Sequence, residues 1–76
     1  MEIQRPLDLL NNSKGKNVLV ILKNGTKISG KLITFDIHLN LVLEQASIIN
    51  DETSSTQTLG KILVRGDTIL FVSPEE

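Results

Sequence analysis

Two short polar clusters hold most of the side chains that can do chemistry. Asp36, His38 and Asn40 alternate within Phe35-Asp36-Ile37-His38-Leu39-Asn40, and Arg65, Gly66 and Asp67 are contiguous further on. An imidazole and a guanidinium are flat and can sandwich a nucleic-acid base between them. An asparagine amide offers a donor and an acceptor side by side, which matches the N–H and C=O pattern on a uracil edge. An acidic neighbour such as Asp36 can orient that amide or the backbone around it. Each group also has a plainer reading. A histidine in a turn is often only solvated, and an asparagine often caps its own turn. Arg-Gly-Asp can be a hairpin turn with glycine at positive φ. The signal lies in the combination.

Other chemistries find little support. His38 beside Asp36 is the only apparent dyad, no serine shares its turn, and no G-x-S-x-G is present. No catalytic residue is assigned, and an enzyme is not expected. Gly25, Gly30, Gly60 and Gly66 stand singly, so no glycine loop is available to cradle phosphate. With no cysteine and one histidine, a zinc site is not expected. Asp51-Glu52 falls short of a calcium loop and reads as a solvated loop tip. No metal and no cofactor are implied.

Composition narrows the partner. The formal net charge is −1, which disfavours duplex binding by bulk positive charge. With no Trp, no Tyr and two Phe, a sheet-face stacking platform is excluded. Stacking must then use His38, Arg65 or Phe35. No signal-peptide core is seen and no apolar run approaches the ~20 residues of a membrane span. A cytoplasmic protein without membrane contact is expected, in which the sequons at Asn11 and Asn24 carry no glycosylation meaning. The 76 residues make one small domain, the kind usually reinforced by disulfide, metal or partner subunit. Only the last remains.

The elements that must position the two clusters follow in order. Pro6, Asp8 and the apolar Leu7, Leu9 and Leu10 predict a helix over about residues 5–13, stopped by Asn11-Asn12-Ser13-Lys14-Gly15. Val18 to Leu22 is an apolar run typical of a strand covered on both faces. Asn24-Gly25 signals a hairpin with positive φ tolerated at both central residues. The return strand places Ile28, Gly30 and Leu32 on one side, and Gly30 permits a bend. Leu41-Val42-Leu43 opens a third strand, residues 47–58 read as a variable polar loop, and Leu59 to Val64 forms a fourth. Thr68 to Ser73 is the last. Helix plus five short strands predicts a mainly β fold: a strongly bent antiparallel sheet forming a small open barrel. Its apolar edges, Ile62-Leu63-Val64 and Ile69-Leu70-Phe71-Val72, invite pairing with a second copy, which closes into a ring if the rotation suits.

Taken together, these segments resemble the Sm-like (Lsm) family, in its archaeal form. Phe35-Asp36-Ile37-His38-Leu39-Asn40-Leu41-Val42-Leu43 resembles the core of the first Sm motif, spanning about 17–46. Ile62-Leu63-Val64-Arg65-Gly66-Asp67-Thr68-Ile69 resembles the second, spanning about 59–73. Arg5-Pro6-Leu7-Asp8-Leu9-Leu10 is similar to the family's N-terminal helix. The resemblance implies a single Sm-like domain over 1–76, assembled as a ring, usually of seven identical subunits. It implies binding of single-stranded uridine-rich RNA in the central pore, in RNA processing or RNA–protein assembly. By motif position, Asn40 would read the uracil edge between His38 and Arg65, with Gly66 and Asp67 shaping the turn beneath and Asp36 buttressing the first loop. Phe35 and Arg5 match a second nucleotide site, although many relatives carry tyrosine where Phe35 stands. Thr68 stands where asparagine is commoner. The competing reading is a structural ring that recruits proteins and binds RNA only incidentally.

Overall fold

Three glycines and one alanine decide how the strands bend and where they turn. The computed structural model describes residues 6–75. Helix α1 (Pro6–Ser13) is followed by β1 (Asn17–Leu22), β2 (Lys27–Phe35), β3 (Leu41–Asn50), β4 (Ser55–Val64), a 3-10 turn (Gly66–Thr68) and β5 (Ile69–Pro74). All strands lie in one antiparallel sheet in the order β4-β3-β2-β1-β5. The expected mainly β architecture is present, with β4 and β5 at its two edges.

The sheet bends along a row of small residues. Gly30 on β2 faces Ala46 on β3, and a Cβ on Gly30 would lie 3.2 Å from the Ala46 Cα and Cβ. Ala46 in turn pairs with Gly60 on β4. The ladder shifts register beside this row on both sides of β3, where Gln45 and Gly60 take φ of 52° and 79°. Such bulges concentrate twist and let a sheet curl over its own core. Inside the curl lie Val18, Val20, Ile28, Leu32, Leu41, Leu43 and Val64, with Leu10 from α1 closing one end.

Several expectations need correction. The polar stretch 47–58 is not a loop: β3 runs to Asn50, β4 starts at Ser55, and only the intervening turn is irregular. Cross-strand pairing from Ser47↔Thr58 to Asn50↔Ser55 overrides the polar composition. The fourth strand therefore begins four residues earlier than the apolar pattern suggests. At the β1–β2 turn only Gly25 has positive φ (91°), because the turn is longer than two residues; the Gly25 N–H bonds back to the Leu22 carbonyl. This is the pattern of a type I turn completed by a left-handed glycine. Of the α1 leucines Leu10 alone is buried, while Leu7 and Leu9 are exposed. In β1, Leu19 and Leu22 remain half-buried, so the run is not fully covered. Only the plainer reading of Arg65-Gly66-Asp67 as a hairpin turn fails, since this tight turn joins strands at opposite edges of the sheet.

Leu32 is fully buried where the bent strand crosses the core. Leu32→Ala should cost about 2–5 kcal/mol. The urea midpoint followed by circular dichroism should fall accordingly, and an unchanged midpoint would contradict this description of the core.

Candidate nucleic-acid interface

The site is assembled by a carboxylate. Asp36 follows the end of β2, and its Oδ1 accepts the backbone N–H groups of His38 (2.9 Å) and Asn40 (3.1 Å). Its Oδ2 accepts from Asn40 Nδ2 at 3.0 Å. The chain closes on itself here: the Leu39 N–H bonds to the Asp36 carbonyl, and the Asp36 N–H bonds to that of Asn40. This turn holds Leu39 at φ 63°, a conformation costing a branched residue about 1–2 kcal/mol. The bonds to Asp36 offset that cost. The Asn40 amide, above all, holds the Asp36 carboxyl below its ordinary value, with the backbone N–H groups and His38 adding to the effect. Asp36 is therefore ionised throughout the neutral range.

The second cluster docks onto this loop through Asn40. The Gly66 N–H donates to Asn40 Oδ1 at 2.8 Å, across 26 residues of sequence. Glycine is needed for space rather than for φ. A Cβ at residue 66 would stand 2.1 Å from the His38 carbonyl oxygen and 2.9 Å from the Leu39 carbonyl carbon. Those atoms are backbone, so no rotamer change relieves the clash. Thr68 closes the 3-10 turn by donating from its N–H and its Oγ1 to the Arg65 carbonyl at 3.1 and 2.6 Å. The hydroxyl thus adds a second bond that closes the turn.

His38, Asn40, Arg65, Gly66 and Asp67 line one open concavity of about 500 Å³. Arg65 Nη2 lies 3.3 Å from Asp67 Oδ2, and both side chains are well exposed. Such a pair is weak in water. Asp36 stands behind this concavity as a support. Phe35 is not among the lining residues: it packs on the core, and the Lys14 ammonium sits 5.1 Å from its ring centroid. Arg5 lies outside the described residues. Among the described residues no acidic or histidine cluster suits a metal, and no helix is long and apolar enough to cross a membrane.

A bent five-stranded sheet under an N-terminal helix, with two turns locked over one concavity, defines a small β-barrel of the Sm class. The family model described as the LSM domain matches residues 8–74, and the chain belongs to that family. A protein of Pyrococcus furiosus named as snRNP Sm-like is 49% identical over 73 residues, covering 96% of this chain and 95% of that protein. Among solved structures, the Pyrococcus abyssi Sm protein in complex with a uridine heptamer superposes with a TM-score of 0.87 at 49% identity. That match covers 95% of this chain and all of the other. A heptameric archaeal Sm protein gives 0.84 at 43% identity, over 90% of this chain and 97% of that one.

The fit of Gly66 beneath the His38 carbonyl yields a direct prediction. Gly66→Ala should separate the two turns while leaving the sheet intact. The side-chain amide signals of Asn40 should then move toward free-asparagine positions in the NMR spectrum. Unmoved signals in the variant would show that the two turns are held together some other way.

Proposed function

We propose that this chain is a subunit of a seven-membered ring that binds uridine-rich single-stranded RNA, one base to each concavity, in RNA processing or RNA–protein assembly. The observation that carries the reading is the locked orientation of the Asn40 amide. Its oxygen takes the Gly66 N–H, and one hydrogen of its nitrogen goes to Asp36. One hydrogen and one lone pair remain. Together they complement a uracil edge, whose N3–H donates and whose carbonyl accepts. Cytosine presents the opposite pattern at N3 and N4, and a free asparagine would flip to suit it. Here a flip would set the NH₂ against the Gly66 N–H and the oxygen against the Asp36 carboxylate. Both contacts are repulsive, so the pocket rejects cytosine.

His38 and Arg65 supply the flat faces between which the base stacks, and Arg65 can stack through its face while its edge keeps Asp67. A second nucleotide at Phe35 would meet the Lys14 ammonium, which lies over the ring. The ring is supported by the edge strands. Leu63 on β4 is 65% exposed, and Leu70 and Phe71 on β5 are 62% and 52% exposed. Apolar, unpaired edges of this kind are completed by pairing β4 of one copy with β5 of the next. The heptameric relative and the relative bound to a uridine heptamer agree with both halves of the proposal. Repetition around a ring adds avidity through effective concentration. Binding of this kind requires no catalytic group.

Fluorescence anisotropy with labelled heptauridine and heptacytidine at one salt concentration tests the reading. Uridine should bind more tightly, by about 1–3 kcal/mol for each base read. Asn40→Ala should erase the preference, and Arg65→Ala should weaken binding. Equal affinity for both oligomers in the unaltered protein would sink base recognition, and binding to neither would favour a ring that serves only as a protein scaffold.

A further inference from the structure

The 3-10 turn that presents Gly66 is also tied to the β1–β2 turn. The Lys23 N–H donates to the Thr68 carbonyl at 2.8 Å. Leu22, Lys23, Asn24, Asp67 and Thr68 line a concavity of about 290 Å³ that shares Asp67 with the base concavity. A third, of about 360 Å³, shares Asn24 with the second and continues along Lys27 and Ile48 to Glu52. The three hollows therefore form a chain leading away from Asn40.

Charge decides how far along that chain an RNA backbone is welcome. Among the described residues the ion pairs are Lys27 with Asp51 and Arg65 with Asp67. Lys23 is exposed and belongs to neither pair, while Asp67, the acid that lines the same hollow, is held by Arg65. In the third hollow Lys27 is neutralised by Asp51, and Glu52 adds a further negative charge. With Asp67 paired to Arg65, a polyanion leaving the base concavity meets one unpaired ammonium in the second hollow and a net negative charge in the third.

We propose that Lys23 binds the RNA phosphate adjoining the base held by His38, Asn40 and Arg65, and that it sets backbone affinity without influencing base choice. The proposal rests on the RNA reading above. A nucleotide whose base fills the first hollow carries its phosphate outside it, and the hollow sharing Asp67 is the adjoining space. A lysine suits this task. Its ammonium is a point charge on a long flexible stem, able to follow a phosphate and indifferent to the base attached. The backbone bond from Lys23 to Thr68 keeps that stem rooted against the turn whose Gly66 anchors Asn40. Base reading and phosphate binding are thereby fixed on one piece of backbone.

Heptauridine and heptacytidine titrations over a salt series test this with the full-length protein and its Lys23→Ala, Lys23→Arg and Lys27→Ala variants. Light scattering confirms equal assembly mass first. For Lys23→Ala, the slope of log affinity against log salt should become shallower by about 0.7 for each phosphate no longer neutralised. Both oligomers should weaken by the same factor, leaving the uridine preference unchanged. Lys23→Arg should restore the slope, and Lys27→Ala, whose charge is already paired, should leave it alone. An unchanged slope in Lys23→Ala would overturn the inference. So would an altered uridine preference, or an equal weakening in Lys27→Ala, which would reveal only bulk charge. If the unaltered protein fails to bind heptauridine, the RNA reading itself falls and takes this inference with it.

Discussion

The hydrogen bond from the Gly66 N–H to Asn40 Oδ1 joins two turns that the sheet alone brings only near each other. Everything else at the site depends on its being short and correctly oriented. Gly66 must lack a side chain, because the His38 carbonyl occupies the place of its Cβ. Asn40 must present its oxygen, and the Asp36 carboxylate ensures this by holding the nitrogen. Asp36 must be ionised to accept three N–H groups at once, and those same bonds keep it so. The arrangement is closed: each member fixes the state that its neighbours require. Its product is an amide with one donor and one acceptor left over and no freedom to exchange them.

The fold serves this arrangement by length and bending. β2 delivers Asp36, and β3 leaves directly from Asn40, so the first turn is clamped by two long paired strands. β4 delivers Arg65 from the edge of the sheet, paired with β3 from Leu41↔Val64 onward. Pairing at that end brings residue 65 beside residue 40. The bend along Gly30, Ala46 and Gly60 lets the same strands enclose Leu32, Leu41 and Leu43. β4 and β5 stay at opposite edges, each with apolar side chains exposed. The architecture that forms the pocket thus also leaves the surfaces that would repeat it around a ring.

Much of this was legible in the residues. Alternation in β2, the glycine in its middle and the apolar start of β3 all predicted strands in the observed places. The two polar clusters stood out by chemical type alone. What the sequence did not display is telling. The second half of β3 and the first half of β4 are polar and read as loop, because partner strands rather than composition make them extended. Gly66 was legible as a residue shaping the turn, but not as a spacer; a clash with a carbonyl on the other turn leaves no local trace. Asp36 was legible as a neighbour of Asn40, but its three bonds depend on Leu39 taking a left-handed conformation that no leucine advertises. Lys23 was one of eight basic residues with nothing to distinguish it until the fold set it beside Asp67.

The central claim is that a fixed Asn40 amide reads the uracil edge, with stacking secondary to that reading. Heptamers of N3-methyluridine provide the most direct test. The methyl group removes the N–H that should donate to Asn40 Oδ1, while the ring, its charge and the backbone are kept. Measured beside heptauridine at the same salt, the methylated strand should lose most of its affinity, and Asn40→Ala should bind the two strands alike. Equal binding of both strands by the unaltered protein would contradict the claim and leave the concavity as a stacking site without edge recognition.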